Sequence, residues 1–438
     1  MAGGTWTTQN KVRPGVYVRF QGEAAPSGAV GERGIVALPL KLSWGPAKKV
    51  LELNAGEPVF EQLGYELTDE ALLLVREAFK RAKKVLLYRL NEGAKAAATH
   101  KQLKVKARFG GVRGNDIQLV VQTNVNDNTK VDVITKVGGR TVDNQTVNLA
   151  EQLIANAWVE FEGTGAIEAN AGLPLTGGDD GNVVNADHVS FHEAIAVHDF
   201  HTVALPSTDA ALCSVYAMFV KRMREEEGKK IQAVMAQYPT ANNEGIISVK
   251  NGVKLADGTV LNAAQATVWV AAATASAAMN ESLTYSAYED AVDADVRMTN
   301  TQVEEALRKG EFVFVHHLGH AVVEQDINTL TAYTPDKGQP FSKNRVIRVL
   351  DGIANDMKRI FETTYVGKTN NNEEGRQLFR AECIAYLDQL ERLNAIQPFD
   401  AQTDVLVAKG EASDSILIQL NVQPVDAVEK IYMKVKVK

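Results

Sequence analysis

The chain has 438 residues, 45% of them hydrophobic and 23% charged, a globular composition with apolar material for more than one core. Its formal net charge of -7 argues against a general nucleic-acid binder, which carries a basic excess. Two cysteines, Cys213 and Cys383, cannot build a disulfide framework and suit a reducing compartment. At this length roughly two to four domains are expected.

Residues 1–10 have neither a basic nor an apolar signal region, so no export signal is expected. Residues 12–20 then alternate after Pro14-Gly15, with Val16, Val18 and Phe20 on one face and Tyr17 and Arg19 on the other, which predicts a half-buried strand. A Gly/Pro/Ala stretch at 22–34 isolates it, so its partner must be distant or on another chain. A short apolar strand at 34–40 and a turn at Trp44-Gly-Pro46 follow. Residues 68–84 predict a helix with Thr68 as N-cap and a stripe of Leu72, Val75, Ala78, Phe79 and Ala82; residues 85–88 read as a buried strand.

From 101 to 176 the pattern changes to strands at 103–109, 116–123 and 130–137 joined by Gly/Asn/Asp turns, which predicts an inserted β-sandwich. After Gly177-Gly-Asp-Asp-Gly181, read as a flexible interdomain turn, a strand at 201–205, a helix at 208–224 and a strand at 230–236 form a βαβ unit. The broken apolar run 263–279 reads as a buried alanine-rich helix, too polar and short to span a bilayer. Thr301 and Glu304 predict a capping box for a helix ending at 309, and 312–315 with 321–324 a hairpin about Gly319.

Two amphipathic helices are expected at 344–365, striped by Val346, Leu350, Ile353, Met357 and Ile360, and at 374–394, striped by Phe379, Cys383, Tyr386, Leu390 and Leu393. Strands at 416–422 and 428–438 close the chain. In the last, Ile431, Met433, Val435 and Val437 share one face, opposite Tyr432, Lys434, Lys436 and Lys438. The expected divisions are an arm at 1–33, α/β sequence at 34–100, the sandwich at 101–176, a second α/β region at 177–335 and an α+β region at 336–438.

Signatures of chemistry are missing from this pattern. There is no G-x-S-x-G elbow, C-x-x-C, H-E-x-x-H or phosphate loop, and Gly163-Thr-Gly165 meets Glu168 where a dinucleotide fingerprint needs glycine. His188, His192, His198 and His201 cluster, as do His316, His317 and His320, but no spacing matches a metal module, and structural histidines are the expectation. Gly177-Gly-Asp-Asp-Gly181 lacks the later bidentate Glu of a calcium loop, and Gly110-Gly-Val-Arg-Gly-Asn115 leads into a strand where an anion site wants a helix. Cys213 and Cys383 lie on or beside helix apolar faces as inert core thiols. No cofactor is expected. The competing reading is a metal-dependent or hydrolase-like α/β enzyme using the histidine clusters; another particle subunit, such as a tube or capsid protein, is a third.

The termini are the unusual feature, since an unpaired strand with four aligned apolar side chains is an aggregation hazard. Pairing of the two terminal strands within one sheet stays open beside strand exchange between subunits. Five ladder bonds at about 0.5–1.5 kcal/mol net each would give one arm roughly 3–7 kcal/mol.

Arg13-Pro-Gly-Val-Tyr-Val18, Gly34-Ile-Val-Ala-Leu-Pro39 with Trp44-Gly-Pro46, Leu175-Thr-Gly-Gly-Asp-Asp-Gly181, Leu350-Asp-Gly-Ile-Ala-Asn-Asp356 and the 416–438 block together resemble the tail sheath proteins of contractile phages and phage-tail-like bacteriocins, especially those of Gram-positive hosts. Their order and spacing carry the resemblance from one end of the chain to the other. It implies a subtilisin-like α/β domain without a catalytic triad, an inserted β-sandwich domain, and a C-terminal α+β domain with extended N- and C-terminal strand arms. It further implies a non-enzymatic subunit polymerising as stacked hexameric rings around an inner tail tube protein, contracting from a metastable extended state to drive the tube through a cell envelope. Baseplate and tail terminator proteins are implied partners, without nucleic acid or direct membrane insertion; the implied location is a virion or phage-tail-like particle, assembled in the host cytoplasm. The arm roles fall on Val12, Val16, Tyr17, Val18 and Phe20 and on Ile431, Met433, Val435 and Val437, with Ile416, Ile418 and Leu420 as acceptor strand. Gly22, Gly28, Gly31 and Gly34 are expected hinges, and Lys358, Arg359 and Glu362 are expected to face the tube.

Overall fold

The computed structural model describes residues 30–437 in full and residues 2–4 and 15–17 as backbone. The chain forms two compact units: a large one of residues 32–355, 393–397 and 423–438, and a small one of residues 1–31, 356–392 and 398–422.

The large unit is organised on a seven-stranded sheet, in the order Glu311–Phe312, Ile246–Val249, Gln232–Ala236, Thr202–Leu205, Ile35–Leu40, Lys84–Arg89, Val50–Asn54. All neighbours are parallel except the last pair, which is antiparallel. The strands read as continuous apolar runs because helices cover both faces. Val36, Leu38, Val85, Leu87, Val234 and Ile247 pack with helix Ala263–Ser276 and its Trp269. Ala37, Leu86, Tyr88, Val203, Leu205 and Met235 alternate to the other face, against Phe191 of helix Asn185–Ala196 and Tyr216 of helix Ala210–Glu225.

Within the same unit, sheets of four and three antiparallel strands form the β-sandwich. The first runs Arg140–Val147, Val131–Val137, Ile117–Thr123, Asn170–Pro174; the second Val159–Glu162, Leu103–Ala107, Ala97–His100. Trp44 reaches from the α/β core into the sandwich core and stacks on Trp158 at 5.1 Å. Residues 177–181 correct the flexible-turn reading. Asp180 accepts from Ser43 Oγ and Val112 N–H at 2.9 Å each, and Asn91 Nδ2 donates to its carbonyl at 2.6 Å, so the junction is knitted down.

The small unit contains the C-terminal end of helix Asn344–Thr364, helix Glu373–Arg392 and the antiparallel hairpin Val405–Lys409 with Ile416–Leu420. Cys383, Tyr386, Leu387, Leu390 and Val405 are its buried centre. Phe361 and Tyr365 meet Phe379 at 5.2 and 4.7 Å. Asn371 Nδ2 donates to the carbonyls of Ser413 and Ser415 at 2.9 Å each, fastening the hairpin turn.

Several boundaries depart from expectation. The 68–84 helix is a 3-10 turn Glu70–Leu72 followed by helix Leu73–Phe79; Leu72, Val75, Ala78 and Ala82 of its stripe are buried and Phe79 is half-buried, but Thr68 caps nothing. The capping box is Thr299 with Gln302, two residues ahead of the one expected, and the helix expected from 208 starts at Ala210 with Asp209 as its N-cap. Phe312 joins the main sheet, leaving Phe314–His317 and His320–Val323 as the hairpin. Leu393 lies beyond its helix and is exposed. Residues 428–437 form no strand, because no ladder partner exists for them among the described residues. The short strand Gly15–Tyr17 pairs in parallel with Ala2–Gly4, so the terminal segments do not pair with each other there.

Candidate assembly surfaces

Leu350-Asp-Gly-Ile-Ala-Asn-Asp356 proves to be a run of anchors. Asp351 takes a bidentate pair from Arg224 at 2.6 and 2.8 Å. Burial opposes the charge on Arg224, yet Asp351 and Glu244 hold its pKa above the usual value. A Cβ on Gly352 would lie 2.2 Å from Met279 Cε, so glycine permits that close approach. Asn355 exchanges two hydrogen bonds with the Lys230 backbone, both 2.8 Å, as a neighbouring strand would. In the small unit, Asp356 accepts from Tyr386 Oη at 2.8 Å and from Gly31 N–H at 3.1 Å to each oxygen.

That last contact bears on two of the four glycines expected as hinges. A Cβ on Gly31 would sit 2.4 Å from Asp356 Oδ1, and Gly34, with φ +105, receives Lys83 and Lys84 N–H on its carbonyl. Both glycines are pinned points; Gly22 and Gly28 lie outside the described residues. So do Val12, Val18 and Phe20, while Val16 and Tyr17 belong to the short strand Gly15–Tyr17.

At the other end, Gln397 N–H donates to Gln423 O at 2.8 Å and Val425 N–H to Ala395 O at 2.9 Å. Glu429 then turns its carboxylate inward to Gln325 Nε2 at 2.6 Å, Thr284 Oγ1 at 2.9 Å and Lys343 Nζ. Burial raises its pKa, but these three donors leave it below the ordinary value. Beyond it Ile431, Met433, Val435 and Val437 are 76–94% exposed, a row of apolar side chains left uncovered by the described residues.

In the small unit Ile416, Ile418 and Leu420 share the half-buried face of strand Ile416–Leu420, with Leu417 and Gln419 outward. Ile416 and Ile418 also line a groove of about 410 Å³ with Phe361, Tyr365, Arg376 and Phe379. Lys358 is half-buried, Arg359 and Glu362 are exposed, and Arg359 Nη2 lies 3.4 Å from Asp356. In the sequence the 350–356 motif stands out only by its resemblance to the family. The acids and amides within it were the available signal, since polar residues recurring inside an amphipathic helix need partners.

In the first histidine cluster, His188 and His192 pack against the neighbouring helix. His188 Nδ1 lies 2.9 Å from Tyr216 Oη, and His192 stacks on Phe219 at 4.2 Å. Burial first, then His188 and Arg222, push the pKa of His192 down to about 3. His201 Nδ1 accepts from Ile35 N–H at 3.3 Å, and burial with Arg33 nearby lowers it to about 3 as well. Among the described residues no three His, Cys, Asp or Glu gather to hold a metal, and no helix is long and apolar enough to cross a membrane. Burial pushes the Cys213 thiol up to about 11 and Cys383 to about 12, the opposite of an activated nucleophile.

Four family descriptions match in succession. Residues 33–90 match the Tail sheath protein Gp18 domain III N-terminal region and 91–180 the Phage tail sheath protein beta-sandwich domain. Residues 181–329 match the Phage tail sheath protein central domain and 336–438 the Phage tail sheath C-terminal domain. The solved sheath tail protein from Desulfitobacterium hafniense is 52% identical, with 97% of this chain and 100% of that one covered and a TM-score of 0.87. The sheath tail protein Lin1278 from Listeria innocua is 41% identical over 93% and 96% of the two chains, with a TM-score of 0.82. The phage-like element PBSX protein XkdK of Bacillus subtilis (strain 168) is 39% identical over the full length of both. The chain therefore belongs to the phage tail sheath family, as a structural, non-enzymatic subunit of a contractile tail sheath in a phage or phage-like tail particle.

Proposed function

We propose that copies of this chain polymerise as stacked six-subunit rings around an inner tail tube protein, joined by strand arms. Heterologous contacts that do not close on themselves generate a helical tube. In this reading Ile431, Met433, Val435 and Val437 of one copy, with the N-terminal segment bearing Val12, Val16, Tyr17, Val18 and Phe20, add strands to the hairpin of a neighbour at Ile416, Ile418 and Leu420. The α/β domain is a subtilisin-like scaffold without a triad, acting as a rigid body. The lattice has two packings, and the extended one persists behind a kinetic barrier until contraction drives the tube through the target envelope. Baseplate and terminator proteins hold its ends, and assembly occurs in the bacterial cytoplasm. Lys358, Arg359 and Glu362 make releasable polar contacts with the tube.

The observation that carries this reading is the exposed apolar row at 431–437 on a chain that also offers a two-stranded hairpin with unpaired edges among the described residues. Electron microscopy of the full chain and of a chain lacking residues 1–22 tests it. Hollow tubes from the first and none from the second are expected; tubes of equal order from both would refute the N-terminal arm.

A further inference from the structure

The C-terminal segment is held to the large unit at two successive points of different chemistry. The first is backbone pairing, with Val425 N–H on Ala395 O and an isolated bridge between Ile396 and Pro424. The second is a side-chain socket. Glu429 is the single acidic residue after Asp426, and its carboxylate enters a cluster of one cation and two neutral donors: Lys343 Nζ, Gln325 Nε2 and Thr284 Oγ1. The socket is itself braced, because Thr284 Oγ1 accepts from Asp326 N–H at 3.0 Å and Asp326 accepts from Asn344 Nδ2 at 2.9 Å and Arg348 Nη2 at 3.3 Å. Side-chain exposure is 11% for Glu429 and 15% for Lys343, whereas Val428 on one side is 84% exposed and Ile431 on the other 80%. A lone side chain is thus drawn in from a segment otherwise turned to solvent. Charge-assisted hydrogen bonds of this kind are roughly twice as strong as neutral ones, and here they hold a segment whose flanking Val428 and Ile431 are exposed.

We propose that Glu429 is a positioning residue that sets the free length of the C-terminal arm. With the clip closed, the arm starts at Lys430. With it open, the arm starts after Val425 and gains Asp426, Ala427, Val428 and Glu429, about 13 Å of extended chain at roughly 3.3 Å per residue. Two leash lengths let one subunit stay attached to its neighbour while the distance between their bodies changes, with the core pairing at 395–397 and 423–425 untouched. This rests on the arm reading above, but the clip is measurable without it.

The test uses unassembled full-length protein spin-labelled at M433C and V296C; both side chains are exposed, and the native cysteines are buried. Distance distributions are compared for the parent, Glu429→Ala and Lys343→Met. Both substitutions are expected to widen the distribution, by up to the roughly 13 Å of extra leash. The same width in both variants as in the parent would overturn the clip. A chain lacking residues 430–438 separates the two ideas: tubes that still form from it would sink the arm reading while leaving the spin-label result standing. Lost tubes with an unchanged distribution would sink the clip alone.

Discussion

Arg224 and Asp351 are joined by two hydrogen bonds, 2.6 and 2.8 Å, between residues 127 apart in sequence, with 8% and 13% of their side chains exposed. Arg224 sits in the segment matching the central sheath domain and Asp351 in the segment matching the C-terminal one. The same guanidinium donates to Ile231 O at 2.9 Å, and Glu244, 3.9 Å away, is tied to Lys337 at 2.7 Å. This pair fastens the start of helix Asn344–Thr364 to the α/β core.

Removing one partner of such a pair strands a buried charge, which costs about 3–5 kcal/mol. Asp351→Ala is therefore expected to lower the midpoint of thermal unfolding by several degrees, read by calorimetry on unassembled protein. Restoring the carboxylate at a longer reach, as Asp351→Glu, should recover only part of it because the bidentate geometry is lost. An alanine variant melting with the parent would show that the pair is energetically neutral.

Gly93 is pressed against backbone. A Cβ there would fall 1.7 Å from Asp179 O, with no flexible side chain to yield. Gly93→Ala is expected to destabilise by about 1–3 kcal/mol through forced movement of the 177–181 junction. Gly139→Ala, where nothing lies within 4 Å but φ is +85, is the comparison: a smaller loss from backbone strain alone is expected. Equal losses would mean that crowding at 179 relaxes freely.

His192 gives a pH dependence with a definite sign. Folded, it stays neutral down to about pH 3, whereas unfolded it takes a proton near pH 6.5. Between those values the unfolded state binds more protons, so stability is present above pH 6.5 and falls as the pH drops toward 3. The slope is about 1.4 kcal/mol per pH unit for each such group, and His201 adds a second. His192→Phe, stacked on Phe219, should reduce the slope in urea titrations at pH 4–6 by about one proton. An unchanged slope would place the acid sensitivity elsewhere.

The sheet strands at 35–40, 84–89, 202–205 and 232–236 are legible in sequence because burial on both faces leaves uninterrupted apolar runs. Their order is not, since nothing local states that Thr202–Leu205 lies beside Ile35–Leu40. The capping box slipped because Gln302 serves as well as a glutamate at the third position. The 428–438 alternation is real, but a period of two specifies faces and leaves the partner strand unspecified. His188 and His192 show their role only beside Tyr216 and Phe219, contributed by another helix. The clip at Glu429 is invisible in sequence for the same reason, with donors from positions 284, 325 and 343.

The tube-facing assignment is tested at Lys358, Arg359 and Glu362. Arg359 also lies 3.4 Å from Asp356, the acceptor of Gly31 N–H, so reversing its charge disturbs two things at once. Lys358→Glu should weaken assembly around the tube, and Arg359→Glu should also lower the melting midpoint, because a second carboxylate then faces Asp356. Exposed polar contacts are individually worth about 0–1 kcal/mol, so the effect depends on repetition around and along the tube. It should grow with ionic strength held low and fade in high salt. Co-sedimentation of sheath with purified tube at two salt concentrations reads this directly. Lys358→Glu co-assembling as the parent does at low salt would remove this helix from the proposed tube interface.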